Sequence, residues 1–344
     1  MAETNQAAWL KEAKQNFVIG PAEIGKPAKD EVLVRNHAIA INPVDHAQQS
    51  GIFPPGPLPR ILGNDIAGEI IDVGEGVTQF RKGDRVLGHC TALNTDEAKH
   101  GGFQEYTVVP TVGCAAIPED MKYEDACVLP LAISTAALGL FHKEQLGLRL
   151  PQAEQREPLT GDTEAVLIWG GSSSVGSAAI QLAVAAGYAV VTTSSPRNYI
   201  LCKSLGANEV FDRASLSIVG DLTSAMQRYK FAGAFDAIST RDTQLNVAQV
   251  LAQLGGGRIA LTLPVTPDIP ATVDARMIYA AFILSQDKAL GKEIYGDFLP
   301  AALKNGRIKP APKSDVVGHG VEHIQAAVDK LRAGVSGSKV VVTL

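Results

Sequence analysis

The sequence predicts an α/β chain in two parts, a doubly wound parallel sheet and an all-β, barrel-like domain. Three observations carry this. Ala165–Trp169 is an unbroken apolar run that enters Gly170-Gly171-Ser172-Ser173-Ser174-Val175-Gly176, and an alanine-rich helical pattern follows from Val175 to Ala186. A parallel strand covered on both faces has this continuous apolar character, and the glycines after it let a helix N-terminus approach a phosphate. After Gly187, Tyr188–Thr193 supplies a second strand and completes a β-α-β unit. Before residue 123 the pattern is different: Glu31–Ile41, Ala67–Val73 and Asp84–Gly88 are short β segments set between Gly, Pro and Asp turns.

The remaining elements follow in order. From about Tyr123 the period becomes helical, through Leu129 to Leu146, and strand then alternates with helix until about Ala302. Phe235–Ile238 and Arg258–Leu261 read as further strands of the parallel sheet, and the segment near Met277 to Leu284 as an apolar edge strand open to pairing in a homodimer or closed in a monomer. An amphipathic helix near Val321 to Ala333 precedes a last strand, Lys339–Leu344. Expected domains are 1–125, 126–302 and a return to the first domain over 303–344. Arg149 to Thr163 is polar, carries two prolines, and reads as a surface excursion.

Composition narrows the class. The 344 residues are 46% hydrophobic and 19% charged, with a net charge of −5 and no Lys/Arg cluster, which argues against a nucleic-acid surface. No apolar run long enough to span a bilayer and no signal pattern is read at the N-terminus, so a cytoplasmic location without membrane partners is expected. Cys90, Cys114, Cys127 and Cys202 are widely spaced and suggest neither a disulfide framework nor a zinc knuckle.

The glycine and serine turn is the candidate phosphate site, with Ser172, Ser173, Ser174 and Val175 as its ligands; an ordinary strand-to-helix corner is the competing reading. At the end of the second strand an NAD site places a carboxylate for the ribose 2′-hydroxyl. This chain has Ser194-Ser195-Pro196-Arg197-Asn198 instead. Hydroxyls and a guanidinium suit a 2′-phosphate, so the expected cofactor is NADPH.

Taken with Asn42-Pro43-Val44-Asp45, Gly63–Gly74, Lys82-Gly83-Asp84-Arg85-Val86 and Gly101–Tyr106, these pieces resemble the medium-chain dehydrogenase/reductase superfamily over nearly the whole chain. The resemblance implies a Rossmann domain joined to a GroES-like catalytic domain, and within the superfamily the nucleotide segments are most similar to the fungal trans-enoyl-reductase and ToxD-like branch. Zinc members place Cys where Asn42 stands and His where Asn64 stands. Asparagine amides bind zinc poorly, the four-cysteine structural lobe is missing, and the adjacent His89 and Cys90 read as a packed strand end, so no metal is expected.

The same resemblance suggests cofactor contacts from Pro43, Val44, Asp45, His46, Ser134, Thr135, Ser195, Pro196, Arg197, Asn198, Arg213, Leu254, Gly255, Leu261, Val335, Ser336 and Lys339. Two residues after the Asp of N-P-x-D the family commonly has Lys or Tyr. Here the residue is Ala47, so the expected catalytic set is His46, Asn42 and Thr135, with His46 as proton donor; Tyr106 is another donor candidate, although its pattern reads as a strand residue packed behind the site. His46 near a turn, Asn42 in an Asx turn and Ser134 or Thr135 as a helix cap are the structural alternatives.

Without a metal, hydride transfer suits a conjugated acceptor whose developing charge rests on an enolate oxygen. The expected activity is NADPH-dependent reduction of a conjugated C=C bond in a small or carrier-bound enone, enoyl thioester or quinone. The alternatives are carbonyl or aldehyde reduction and a catalytically inactive NADPH-binding sensor.

Overall fold

The computed structural model describes Thr4–Glu154 and Thr163–Leu344. The expected excursion falls largely on residues 155–162, outside the described residues. The chain divides into two compact units, one formed by Met1–Leu131, Ala281–Pro300 and Lys313–Leu344, the other by Ala132–Ala280 and Ala301–Pro312. Against expected boundaries at 125/126 and 302/303, the chain thus crosses after Leu131, Ala280, Pro300 and Pro312.

In chain order the first unit opens with β1 (Asn5–Leu10), β2 (Val18–Ala22), β3 (Glu31–Ala40), α1 (Pro43–Gln49), β4 (Arg60–Ile61), β5 (Asp65–Val73), β6 (Arg85–His89), β7 (Tyr106–Pro110) and β8 (Cys114–Ala116). α2 (Pro130–Phe141) carries the chain across. The second unit follows with β9 (Glu164–Trp169), α3 (Ser174–Ala185), β10 (Ala189–Ser194), β11 (Glu209–Asp212), α4 (Ile218–Met226), β12 (Lys230–Asp236), α5 (Arg241–Gln253), β13 (Gly257–Leu261) and β14 (Val273–Met277). The chain ends with β15 (Lys313–His319), α6 (Ile324–Ala333) and β16 (Ser338–Thr343) in the first unit.

Within the first unit, β2-β1-β4 form a small sheet, and β15-β16-β3-β5-β6-β8 with β7 on β3 form a larger one. The last strand is therefore internal: β16 lies antiparallel to β3, with Val341 opposite Ala40. One apolar core joins both sheets and α6, including Leu10, Ile39, Ile41, Ile61, Ile66, Phe103, Ile324 and Val342. Long β3 bends at register shifts opposite β5, between Leu33 and Val34 and between Asn36 and Ala38. Such irregularities coil a sheet towards a barrel.

The second unit is a six-stranded parallel sheet, order β11-β10-β9-β12-β13-β14. Strand order reverses between β9 and β12, and the Gly170–Gly176 turn leaves β9 at that point, where open α/β sheets bind ligands. Burial of Val166, Leu167, Ile168, Val190 and Val191 explains the uninterrupted apolar pattern of β9 and β10.

Two expectations are corrected. The apolar edge segment ends as a strand at Met277, and Ala280–Leu284 is a 3-10 turn with Ile283 and Leu284 buried, so it offers no strand edge for pairing. The segment Tyr123–Phe141 does meet the length and hydropathy of a membrane span, yet its most apolar window is 89% buried, which makes it a core segment of this fold.

Gly68 shows why β5 needs a glycine: a Cβ there would meet the Arg35 carbonyl oxygen at 2.0 Å. Backbone cannot retreat as a flexible side chain can. Gly68→Ala is expected to lower stability by about 1–3 kcal/mol or more, read as a fall in Tm, whereas an unchanged Tm would show that β3 and β5 can separate locally.

Candidate functional site

In the second unit the turn after β9 is bound to β10. Gly171 N–H donates to the Thr193 carbonyl at 2.9 Å, and Gly170 N–H donates to Thr193 Oγ1 at 3.1 Å. Ser173 is the N-cap of α3, its Oγ accepting from Gly176 N–H at 3.0 Å. The glycines are sterically required: a Cβ on Gly176 would lie 2.2 Å from the Gly170 carbonyl, and one on Gly171 would lie 2.3 Å from Thr192 Oγ1. Strand, turn and helix thus approach as closely as a phosphate-binding turn demands, so the residues fit a dinucleotide.

Two polar pairs extend this turn along the end of β10. Asn198 Nδ2 donates to Ser172 Oγ at 3.2 Å, which ties Pro196–Asn198 to the Gly170–Gly176 turn. Arg213 Nε donates to Ser195 Oγ at 3.1 Å, and its backbone N–H to the Ser194 carbonyl at 3.1 Å. Arg213, exposed at the end of β11, therefore joins Arg197, exposed on the 3-10 turn, as a cation at the β10 terminus. Sequence reasoning placed Arg213 near the adenosine without finding its serine partner, because the two lie 18 residues apart on neighbouring parallel strands.

Ser134 and Thr135 are buried on the second turn of α2, which begins at Pro130; they are not its N-cap. Leu254 caps the C-terminus of α5, Gly255 follows with φ +94°, and Leu261 is the buried last residue of β13.

The first unit brings together a different group. Asn42 precedes α1, and its backbone N–H donates to Asp45 Oδ2 at 2.7 Å, so it caps a helix where an Asx turn was the structural alternative. Its amide is engaged at both ends: Nδ2 donates to Asp65 Oδ2 at 2.9 Å, and Oδ1 accepts from Lys339 Nζ at 2.5 Å. Lys339 also pairs with Asp65 Oδ2 at 3.1 Å. Asp65 Oδ1 accepts the Leu131 backbone N–H at 2.6 Å, and Asn64 Nδ2 donates to Asp45 Oδ1 at 2.8 Å. All five side chains are buried, Asp45, Asn64 and Asp65 completely.

Lys339, expected to contact the cofactor from the tail, has its ammonium in a buried ion pair. Asn42, expected as a catalytic donor, joins that pair through its amide oxygen and one N–H, which holds the amide in place. Val335 packs at the margin of the first unit's core, with Ser336 following α6 in the turn before β16. Pro43, Val44, Asp45 and His46 form the first turn of α1, so His46 sits on a helix rather than at a turn; it is half-buried, and its Nδ1 is enclosed without a hydrogen-bond partner. Tyr106 packs with Leu33 and Val108 on β7.

Two carboxylates against one ammonium leave an excess of negative charge where water cannot reach. Burial pushes the Asp45 carboxyl up to about 7; the Asp65 charge adds to this, while the Asn42 N–H, Lys339 and Asn64 oppose it. Burial likewise holds His89 neutral, down to about 4, and raises the Cys90 and Cys127 thiols. Among the described residues no group of three or more His, Cys, Asp or Glu is placed to hold a metal ion.

Known proteins share both units. A sequence profile of the alcohol dehydrogenase GroES-like domain matches residues 28–119, and one of the zinc-binding dehydrogenase matches residues 174–268. The chain is 41% identical to the dehydrogenase azaJ of Aspergillus niger, covering 99% of each protein. It belongs to the medium-chain dehydrogenase/reductase superfamily. The trans-enoyl reductase himH of Aspergillus japonicus is 37% identical, with 99% of this chain and 97% of that protein covered. The solved CurK enoyl reductase shares the fold at a TM-score of 0.77 and 21% identity over 99% of both chains. The chain is therefore a relative of fungal trans-enoyl reductases, with an α/β fold built from a GroES-like domain and a Rossmann sheet that implies a nicotinamide cofactor.

The charge excess at Asp45 has a thermodynamic consequence. An unfolded Asp ionises near pH 4, so the raised value in the folded protein makes wild-type stability fall as pH rises from about 4 through 7. Asp45→Asn removes that loss. Its Tm relative to wild type should rise across this interval, equivalent to roughly 4 kcal/mol by pH 8, and a pH-independent difference would show that Asp45 ionises normally.

Proposed function

We propose that the protein is a zinc-independent, NADPH-dependent reductase of a conjugated C=C bond in an enone, enoyl thioester or quinone. The observation that carries this is the Lys339 ammonium between Asn42 Oδ1 and Asp65 Oδ2, beside residue 42, a position at which the family resemblance implies a ligand in zinc members. An ammonium there repels a divalent cation, and two asparagine amides replace the Cys and His ligands of zinc relatives. Acceptor polarisation then rests on hydrogen bonds, which suits a substrate whose charge is delocalised into an enolate. The names of the fungal trans-enoyl reductase relatives support the same substrate class.

When bound, NADPH supplies the hydride. In the second unit, the Ser172–Val175 turn and the N-terminus of α3 hold the pyrophosphate, while Ser195, Arg197, Asn198 and Arg213 hold the 2′-phosphate. The charge pattern favours NADPH over NADH because two guanidinium groups stand at the end of β10, and Arg213 is aimed by its bond to Ser195. In the first unit, α1 presents His46, whose imidazole delivers the proton to the carbanion carbon or enolate oxygen. A small or carrier-bound substrate in the cytoplasm, and a monomer or homodimer, complete the reading.

Steady-state reduction of a panel of enones, enoyl thioesters, quinones and aldehydes tests the assignment: turnover should be confined to the conjugated acceptors and should survive a chelator. Turnover of aldehydes alone would favour the carbonyl-reductase alternative, and tight NADPH binding without any turnover the sensor. His46→Ala should slow kcat by about 10²-fold with the NADPH Kd unchanged; an undiminished kcat removes His46 from proton delivery. Arg213→Ala should weaken NADPH by roughly tenfold or more and leave NADH almost unaffected, whereas equal losses for both would place this guanidinium away from the 2′-phosphate.

A further inference from the structure

Asn64 is completely buried, yet only one end of its amide is satisfied. Its Nδ2 donates to Asp45 Oδ1 at 2.8 Å, and its Oδ1 is enclosed with no hydrogen-bond partner. A buried amide oxygen without a donor costs about 1–3 kcal/mol. Asp45 also accepts the Asn42 N–H through its other oxygen, so the carboxylate is held at both oxygens, whereas the Asn64 amide is held at one end. The observed orientation suits an ionised Asp45, which can only accept.

A protonated Asp45 changes the preference. Its O–H must donate, and Asn64, already bonded to it through Nδ2, carries a buried acceptor without a partner in Oδ1, which faces the acid after rotation of the amide by half a turn. The same rotation exchanges the outward group: a carbonyl oxygen is presented when Asp45 is ionised, and an NH2 when it is protonated. We propose that Asp45 and Asn64 form a proton-set amide switch, in which protonated Asp45 turns the Asn64 NH2 outward as the hydrogen-bond donor for the substrate's developing enolate oxygen. Asp45 keeps its proton throughout and acts as a positioning residue, while the hydride and the added proton come from the groups already named. The role given to Asn64 rests on the reductase reading; the switch itself does not.

The surrounding charges set where the switch operates. Asp65 on β5 favours protonation of Asp45, and Lys339 on β16 opposes it while forming an ion pair with Asp65. His89 at the end of β6 stays neutral, Cys90 beside it stays a thiol, and His46 lies on α1 itself. With burial as the largest effect, the carboxyl titrates at about 7. The donor orientation thus prevails below neutrality and the acceptor orientation above it.

Infrared difference spectroscopy tests the switch without turnover. Subtracting Asp45→Asn from wild type should leave a protonated-carboxyl C=O band at pH 6 that disappears by pH 8; the other buried carboxyl with a raised value, Asp236, is common to both proteins and cancels. In Asn64→Leu this band should move to higher wavenumber, because the acid O–H loses its acceptor. A missing band, or one that Asn64→Leu does not move, overturns the switch whatever the protein reduces. With NADPH and a crotonyl thioester as probe, wild-type kcat should fall above pH about 7; this limb should persist at a lower rate in His46→Ala and vanish when Asp45→Asn is added to that variant, and a limb left unchanged in the double variant would sink the enolate-donor role. Asn64→Leu should lose at least tenfold in kcat with an unchanged NADPH Kd. Wild-type kcat in Asn64→Leu alongside the shifted band would sink the enolate-donor role alone, and a titrating, Asn64-sensitive band with no turnover by wild type would sink the reductase reading and leave the switch standing.

Discussion

The buried carboxylate of Asp65 is the constraint around which the first unit is arranged. Its two oxygens receive Asn42 from the turn before α1, Leu131 from the start of α2, and Lys339 from the last strand. These residues are remote in sequence, and each brings a different element to one point. An unpaired carboxylate buried this deeply would cost several kcal/mol, so the polypeptide must return at its far end to supply the ammonium. The placement of β16 beside β3, inside the large sheet and not at its edge, meets that requirement.

The second unit depends on close approach more than on charge. Its Gly170–Gly176 turn is held by bonds to the Thr193 carbonyl and hydroxyl and by the absence of side chains at Gly171 and Gly176. The two features of this region separate cleanly: close backbone approach shapes the turn, and the Arg213–Ser195 pair adds a positive charge beyond the end of β10.

Elements whose burial is uniform or alternating were legible in the sequence. β9, α3 and β10 lie within a residue or so of where apolar runs and glycine punctuation put them, because both faces of those strands are covered. The β1–β2–β4 sheet gave no comparable signal: β2 carries Gly20 and Pro21 and is largely exposed, so no periodicity marks it. Site geometry was less legible still. His46, Asn42 and the serines could be named by pattern, but the Lys339–Asp65 pair spans 274 residues and the Asn64–Asp45 bond joins two short turns, so neither leaves a local trace. Ser134 and Thr135 were misplaced on their helix because Pro130, a good first residue, starts it a turn earlier.

The surroundings of Asp65 pose a question of charge, since Asn42 and Asn64 are neutral amides. Neutral amides alone would leave Asp65 without a countercharge. The buried Lys339 supplies one positive charge, and two carboxylates exceed it. Burial, with the Asp65 charge adding to it, raises the Asp45 carboxyl to about 7. Asn42, Asn64, the ammonium of Lys339 and the raised pKa of Asp45 therefore belong to one buried, hydrogen-bonded cluster in which a single ammonium faces two carboxyl groups.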